Sequence, residues 1–295
     1  MKKLLFIFNP RSGKGQIRNN LPEILDLGIK AGFDVTVHTT QSQGDAIGVV
    51  EKRACEFDRI VCSGGDGTLD EVVTGMMRSP VKVPIGYIPA GSTNDFGNSL
   101  GIDKDMLRAA DIAFNGKEYK VDIGAFNEDS FVYVAAFGLF TEVSYSTSQD
   151  LKNVLGHAAY ILEGAKQLRD IPRYRMQVEY DGNVFFDDFI FGMVTNSKSV
   201  GGFKGILPGN VELNDGLFEV TLVKNPRNPI ELSEIIGALA SDSNDSELLY
   251  KFSTSKIKFT SSEDISWTLD GEFGGKMSVC EIVNRNNALE IMIES

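Results

Sequence analysis

The feature that most constrains the fold is a regular alternation of strand and helix signals over residues 1–125. Strands are predicted at Leu4–Phe8, Asp34–Thr39, Arg59–Cys62 and Ile85–Ile88, and helices over 16–31, 43–55, 67–78 and 104–114. Such alternation is typical of a parallel sheet covered by helices on both faces. Each strand runs into a loop rich in Gly, Asn or Ser, and open α/β sheets bind ligands at the carboxyl ends of their strands. The sequence therefore predicts a ligand site at one sheet edge.

After Asp122 the pattern changes to short β-rich runs separated by turns, with helices predicted only near 154–169 and 229–240. Asp-Gly pairs, the signature of tight hairpin turns, occur at Asp181-Gly182, Asp215-Gly216 and Asp270-Gly271. These runs indicate a second, antiparallel β domain.

The length of the chain, 295 residues, is long for one hydrophobic core and natural for two packed domains. We predict an α/β domain over 1–125 and a β-rich domain over 126–295. The C-terminal segment near 286–295 is expected to pack back on the first domain.

Charge and cysteine content narrow the function classes. With 29 basic and 41 acidic residues the net charge is −12, which disfavours nucleic acid as a partner because phosphate binding needs clustered Lys and Arg. The three cysteines form no CxxC pair, so a cytoplasmic location is expected. No apolar stretch approaches the roughly 20 residues that span a bilayer, so any membrane contact is expected to be peripheral.

The stretch "VCSGGDGTLDEVV" predicts a phosphate site with an acid in it. Gly64, Gly65 and Gly67 follow a strand and precede a helix, where backbone N–H groups can approach a phosphate. The Walker and GxGxxG patterns are absent. A bare carboxylate at Asp66, about 4 Å from a triphosphate, would be repelled by several kcal/mol at low dielectric. A Mg²⁺ ion that bridges carboxylate and phosphate resolves this conflict.

A structural interpretation competes with the nucleotide site. Thr68 and Glu71 have the spacing of a capping box, and Asp66 could merely brace the turn.

Two loops together resemble a known family. "GGDGT" at Gly64 to Thr68, followed by "PAGSTNDF" at Pro89 to Phe96, resembles the diacylglycerol kinase catalytic-domain family, bacterial lipid kinases related to sphingosine and ceramide kinases. The first motif alone also fits NAD kinases and phosphofructokinases, which lack "GSTND". The resemblance extends from "FNPRSGKG" to "LDGE" at Leu269 to Glu272. It implies a Rossmann-like N-terminal three-layer α/β domain, a C-terminal antiparallel β-sandwich domain and an active site in the interdomain cleft.

The resemblance also implies that ATP is the phosphoryl donor and a lipid hydroxyl the acceptor. By matching motif, the residues that would bind the nucleotide are Asn9, Ser12, Thr40, Gly64, Gly65, Asp66, Gly67, Thr68, Glu71 and Thr93. Asp95 and Asp122 resemble an acidic and water network behind Asp66, which would position Mg²⁺. For Ser92 and Asp95 a capping box is the alternative.

The segment "LPGNVELNDGLFEV" resembles the family's structural magnesium site. The Asp215 carboxylate and the carbonyls of Glu212 and Leu217 would supply oxygen ligands, which suit a hard cation. A plain Asp-Gly turn is the competing interpretation.

The motif "WTLDGE" carries the predicted base. Glu272 would accept the proton of the lipid hydroxyl as it attacks the γ-phosphate, a contribution of roughly 10²–10⁴-fold. Without the family match, a solvated surface glutamate would be favoured.

Diacylglycerol, converted to phosphatidic acid, is the preferred acceptor. Phosphatidylglycerol, a ceramide-like lipid, a polyprenol and NAD stay open, as does a non-catalytic nucleotide- or lipid-binding regulator of the same fold. The acceptor pocket is expected to include Phe137, Leu139, Phe140 and residues of 154–162. A docking face for anionic membranes is predicted from local basic residues, with an ordinary solvated helix end as the alternative. Its candidates are Lys166, Arg169, Arg173, Arg175, Lys198, Phe203 and Lys204. The resemblance also makes a homodimer plausible.

Overall fold

A computed structural model describes residues 1–91, 94–139, 171–198, 211–240 and 246–295 of the protein. It has a mixed α/β architecture with many strands. The helices are α1 (Ile17–Lys30), α2 (Asp45–Arg53), α3 (Asp66–Arg78), α4 (Asp95–Ser99), α5 (Met106–Asn115) and α6 (Pro229–Ala240). The strands are β1 (Lys2–Phe8), β2 (Phe33–Thr39), β3 (Arg59–Gly64), β4 (Ile85–Pro89), β5 (Lys117–Phe126), β6 (Asp129–Phe131), β7 (Val134–Gly138), β8 (Tyr174–Tyr180), β9 (Asn183–Thr195), β10 (Phe218–Lys224), β11 (Leu249–Thr254), β12 (Lys256–Leu269) and β13 (Glu272–Ile293).

The chain divides into two compact units. The first comprises Met1–Ile123 together with Asn286–Ser295, and the second comprises Gly124–Arg285. Strands β5 and β13 cross from one unit to the other along the chain.

The first unit is built on a parallel sheet with the strand order β4-β3-β1-β2. Its central strand reads as a continuous apolar run because both faces are covered: Leu4, Leu5, Phe6 and Ile7 are all fully buried. The end of β13 joins this sheet beside β4, with Ile291 paired to Ile85 in parallel. All four strands and all four helices predicted for residues 1–125 are present, with ends shifted by a few residues.

Helices of the first unit pack in pairs, α1 against α5 and α2 against α3. The α2/α3 contact is close at Gly75, where an added Cβ would lie 2.6 Å from the Ile47 carbonyl oxygen and 2.9 Å from the Val50 Cβ. Glycine is therefore required here by the approach of a neighbouring backbone.

The second unit is an antiparallel sheet structure with the strand order β11-β10-β9-β7-β12-β13, in which β8 also pairs with β9 and β12. Two of the predicted Asp-Gly turns are two-residue hairpins with positive φ at both positions: Asp181-Gly182 joins β8 to β9, and Asp270-Gly271 joins β12 to β13. The third prediction was wrong for the described residues, because Asp215-Gly216 leads into β10 while residues 211–217 form no strand.

The core of the second unit is aromatic. The indole of Trp267 is 1% exposed and contacts the rings of Phe126, Phe137 and Phe259, with centroids 4.9–5.3 Å apart. Such contacts add specific geometry to the large apolar area that these rings bury.

Two further expectations concern helices. The helix predicted over 229–240 is α6, whereas the one predicted over 154–169 lies outside the described residues. None of the helices in the described part of the chain combines the length and apolar character that crossing a membrane requires.

A pair of glycine substitutions tests the α2/α3 contact. Gly75→Ala should destabilise the protein by about 2 kcal/mol, because the new methyl overlaps a backbone carbonyl that cannot rotate away. Gly48→Ala, at a helical glycine with open space around it, should stabilise by about 0.5–1 kcal/mol. Urea unfolding followed by circular dichroism measures both, and equal effects would contradict the described packing.

Candidate active site

The predicted site loops meet where the strand order reverses. Strand β1 lies between β2 and β3, so the chain leaves it in one direction for β2 and returns on the other side for β3. Such a switch point opens a crevice at the carboxyl ends of the strands. The loops after β1 and β3, which carry "NPRSGKG" and "GGDGT", flank this point.

Three of the loops touch through their backbones. Gly13 has φ of +56°, and a Cβ on it would overlap the Ala90 carbonyl. A Cβ on Gly91 would lie 2.7 Å from the Cα of Gly65. The loops after β1, β3 and β4 are thereby brought together, and no side chain larger than hydrogen fits at Gly13 or Gly91.

Tyr87 and Asn94 link two of these loops, and sequence reasoning missed both. The Tyr87 hydroxyl lies 3.1 Å from both the Gly64 carbonyl oxygen and the Asn94 Oδ1. The Asn94 side chain also accepts from the Gly91 N–H at 2.9 Å and donates to the Gly91 carbonyl at 2.7 Å. With φ of 52°, Asn94 occupies the left-handed region that asparagine tolerates.

Asp66 is the first residue of α3, immediately after the N-cap Gly65. A helix N-terminus presents unpaired backbone N–H groups and a partial positive charge. Burial and the nearby charge of Asp66 raise the pKa of Tyr87 well above its usual value, so the Tyr87 hydroxyl stays protonated. The same position thus combines an anionic side chain with anion-binding amides, which is the combination that a metal-phosphate ligand requires.

Asn9, Ser12 and Thr40 lie at the same sheet edge. The Asn9 side-chain oxygen accepts from the Arg11 N–H at 2.9 Å, which shapes the turn before Ser12. The Thr40 N–H donates to the Phe8 carbonyl at 3.0 Å, so the loop after β2 starts beside the end of β1. Thr93 and Ser92 lie outside the described residues.

The capping-box interpretation of Thr68 and Glu71 was wrong. The N-cap of α3 is Gly65, which makes no side-chain capping bond, and Thr68 lies inside the helix. The Glu71 carboxylate instead accepts hydrogen bonds from the N–H groups of Gly44 at 2.8 Å and Ala46 at 3.1 Å, at the start of α2.

Asp95 and Asp122 are both buried. Asp95 begins the short helix α4. The Asp122 Oδ1 accepts from the Asn286 side chain at 3.0 Å and from the Asn287 N–H at 2.7 Å. Asp122 therefore fastens the returning C-terminal strand, a contact that no local sequence signal predicts.

In the second unit, Glu272 is the first residue of β13, and its side chain is exposed. The turn before it is held by Asp270, whose carboxylate accepts from the N–H groups of Val132 at 2.5 Å, Tyr133 at 2.9 Å and Val134 at 2.9 Å. Asp270 is 4% exposed. A buried carboxylate with three amide donors fixes this turn and hence the point from which Glu272 projects.

The turn at Asp215 lies near a second acid, Glu219. The Asp215 carboxylate is exposed and accepts from the Leu217 N–H at 2.9 Å, while the Leu217 carbonyl accepts from the Asn284 side chain at 3.2 Å. Burial, together with the charge of Asp215, raises the pKa of Glu219 to about 8. The Glu219 Oε2 is buried and makes no hydrogen bond within the described residues.

These oxygens fit a hard cation, because positive charge would balance the exposed Asp215 and favour the ionised form of the buried Glu219. The described residues contain no group of three or more His, Cys, Asp or Glu arranged to hold a metal, so carbonyl and water oxygens would complete the coordination.

The remaining predicted residues are those of the expected acceptor pocket and of the expected membrane-docking face. Phe137 belongs to the aromatic core of the second unit and is fully buried, and Leu139 is partly buried against a separate apolar cluster that includes Ile190. Their assignment to an acceptor pocket stays a prediction. Arg173 and Arg175 are exposed around the start of β8. Lys198 is exposed as well. The other predicted residues lie outside the described part of the chain: Phe140, 154–162, Lys166, Arg169, Phe203 and Lys204.

Comparisons with known proteins agree on one family. The family model described as the diacylglycerol kinase catalytic domain matches residues 3–126. A diacylglycerol kinase of Bacillus subtilis (strain 168) is 35% identical over 296 residues, covering 99% of this chain and 97% of the relative. A diacylglycerol kinase of Staphylococcus carnosus (strain TM300) is 37% identical over 281 residues, covering 94% and 90% respectively.

Solved structures show the same fold. Two crystal structures from Bacillus anthracis (strain Sterne) match with TM-scores of 0.84 and 0.79 at 24% and 23% identity, and the second is described as a diacylglycerol kinase. Each match covers 99% of this chain and 97% of the other.

The Asp270 turn can be tested by substitution. Asp270→Asn should lower stability by about 2–4 kcal/mol, because an amide NH₂ would face a backbone N–H and the charge-assisted bonds would be lost. Asp181→Asn is the matched control, since that turn has the same backbone conformation but its carboxylate accepts only from the Thr254 hydroxyl in a described hydrogen bond. Thermal unfolding gives the stability, and hydrogen exchange should show faster exchange of amides 132–134 in Asp270→Asn alone. Equal losses in both variants would contradict the assigned role.

Proposed function

Because the chain belongs to the diacylglycerol kinase family and is therefore a lipid kinase, we propose that it transfers the γ-phosphoryl group of ATP to diacylglycerol, giving phosphatidic acid, with Mg²⁺ as the metal. The observation that carries this proposal is the convergence of the "NPRSGKG", "GGDGT" and "PAG" loops at the switch point of the parallel sheet. Family membership rests on relatives 35–37% identical over nearly the whole chain.

ATP is placed with its phosphates at the start of α3. The amides of Gly65, Asp66 and Gly67 would bind phosphate oxygens, because a helix N-terminus preceded by glycines admits the closest backbone approach. Asn9, Ser12 and Thr40 would line the same site from neighbouring loops. Thr93 belongs to the proposal through its motif alone.

Asp66 would hold Mg²⁺, and the metal would supply positive charge to offset the negative charge that develops during phosphoryl transfer. A second Mg²⁺ at Asp215, with the carbonyls of Glu212 and Leu217, would serve structure. The buried Glu219 Oε2, which makes no hydrogen bond within the described residues, supports this second site, because a bound cation would favour the ionised form of Glu219.

Glu272 is proposed as the general base. It would take the proton of the acceptor hydroxyl while that oxygen forms a bond to the γ-phosphorus and the bond to the β-phosphate oxygen breaks, releasing ADP. The exposed position of Glu272 at the start of β13, fixed by the Asp270 turn, supports this role.

The wider proposal follows the family. It includes a Rossmann-like first domain, a β-sandwich second domain, peripheral contact with a membrane and a homodimer.

Two other functions compete with this proposal. A kinase that phosphorylates NAD is disfavoured by "GSTND" and by full-length similarity to diacylglycerol kinases. A non-catalytic regulator is disfavoured by the presence of Asp66, Asp215 and Glu272 together.

The direct test is transfer of radiolabelled phosphate from ATP to a panel of acceptors in mixed micelles: diacylglycerol, phosphatidylglycerol, ceramide, a polyprenol and NAD. We expect labelled phosphatidic acid as the main product.

Glu272→Gln should lower kcat by roughly 10²–10⁴-fold with little change in ATP affinity, because only proton removal is lost. Glu263→Gln, at an exposed glutamate on β12, is the control. A Glu272→Gln variant with normal turnover would remove Glu272 as the base, and labelled NAD would overturn the lipid assignment.

The role of Asp66 has its own prediction. Asp66→Asn keeps the size of the side chain and removes the charge that would position Mg²⁺, so we expect kcat to fall at least about 10²-fold and the Mg²⁺ concentration for half-maximal activity to rise about tenfold or more. Titration of activity with MgCl₂ at saturating ATP measures both. Asp26→Asn, on the exposed face of α1, is the control, and an unchanged Mg²⁺ requirement in Asp66→Asn would refute the metal role.

A further inference from the structure

Glu71 lies on the face of α3 that packs against α2. It is four residues before Gly75, so both lie on one side of the helix. Gly75 packs against Ile47 and Val50 of α2. The Glu71 side chain is accordingly directed to the first turn of α2.

Helix α2 has no cap of its own. Its N-cap is Gly44, with φ of +80° and no side chain. The first helical residue, Asp45, turns its carboxylate backwards, where it accepts from the Gln41 N–H at 2.9 Å and lies 3.0 Å from the His38 Nε2. The Asp45 N–H donates to the Ser42 carbonyl at 3.3 Å, so the N–H groups of Gly44 and Ala46 are the ones that need an acceptor from elsewhere in the protein.

Glu71 supplies that acceptor with both oxygens. Its Oε1 accepts from the Gly44 N–H at 2.8 Å and its Oε2 from the Ala46 N–H at 3.1 Å. The carboxylate also places a negative charge at the positive end of the α2 dipole. A carboxylate occupied in this way is unsuited to contact a phosphate, which would repel it.

The segment fixed by these bonds is "TQSQGDA", which comprises the loop after β2 and the first two residues of α2 (loop 40–46). At its start the Thr40 N–H is bonded to the Phe8 carbonyl, and at its end Glu71 holds two amides. Between them, Gln41, Ser42 and Gln43 are exposed. Because the Asp45 carboxylate accepts from the Gln41 N–H, next to Thr40, the two amides that Glu71 holds are linked to the start of the loop.

We propose that Glu71 is a positioning residue, which fixes loop 40–46 and through it Thr40 for the nucleotide, and that it does not itself contact the phosphates. This inference rests on the proposed function for the identity of the nucleotide, ATP. It replaces the prediction that Glu71 forms part of the triphosphate wall.

The first experiment is Glu71→Gln in the full chain. The amide oxygen can accept from one N–H, but its NH₂ faces the other, so the loop loses one anchor. We expect the Kd for the non-hydrolysable analogue AMP-PNP, measured by calorimetry with MgCl₂, to rise roughly tenfold. The KM for ATP should rise in parallel, while the KM for diacylglycerol stays within about twofold. Hydrogen exchange should accelerate at the amides of Gly44 and Ala46.

A double-mutant cycle with Thr40→Ala separates positioning from direct contact. If Glu71 acts through Thr40, the Kd of the double variant should lie within about threefold of the weaker single variant. Independent phosphate contacts would multiply the two effects and overturn the inference. Thr40→Ala with wild-type affinity beside a weakened Glu71→Gln would overturn the route through Thr40.

Glu51→Gln is the matched control, at an exposed glutamate of α2, and it should bind AMP-PNP like the wild type. If Glu71→Gln does not fold, Glu71→Asp is the second variant. It keeps the charge but is too short to reach both amides, so we expect an intermediate rise in the Kd for AMP-PNP.

Because binding is measured without turnover, a wild-type protein that binds AMP-PNP but phosphorylates no lipid would refute the proposed function alone. Unchanged AMP-PNP affinity in Glu71→Gln would refute the inference alone, and a wild type that does not bind AMP-PNP would refute both.

Discussion

The candidate site depends on direct contact between backbones. Where Gly13 approaches Ala90, and where Gly91 approaches Gly65, no Cβ fits. These contacts bring the loops after β1, β3 and β4 so close together that their peptide groups lie within van der Waals distance of one another at the switch point. Peptide N–H groups are fixed in direction by the strands and helices that carry them, which suits them to a ligand whose charge is spread over many oxygens.

Carboxylates bonded to backbone amides hold loops and chain segments in each of the two units. Glu71 holds the start of α2, Asp122 holds the returning C-terminal strand, and Asp270 holds the turn before Glu272. In each case one charged group satisfies two or three donors and joins segments that are distant in sequence. Because a charge-assisted hydrogen bond is about twice as strong as a neutral one, a few acids suffice to set the geometry of several loops.

The sequence predicted what local patterns encode. Apolar runs gave the four parallel strands, and the glycine loops were placed at one sheet edge because parallel strands share a direction. It could not predict partners set by tertiary structure. Thr68 and Glu71 have capping-box spacing, yet Glu71 faces a different helix, since α2 lacks its own cap. Asn286 and Glu219 were missed for the same reason: neither their contacts nor their burial has a signature in neighbouring residues.

The aromatic core of the second unit has a practical consequence. Trp267 is the single tryptophan of the chain and is buried among Phe126, Phe137 and Phe259. Its fluorescence therefore reports on the packing of the second unit, whereas the first unit contributes no indole signal. Excitation at the red edge of the absorption band, which avoids the tyrosines, gives a built-in spectroscopic probe of one half of the molecule without any label.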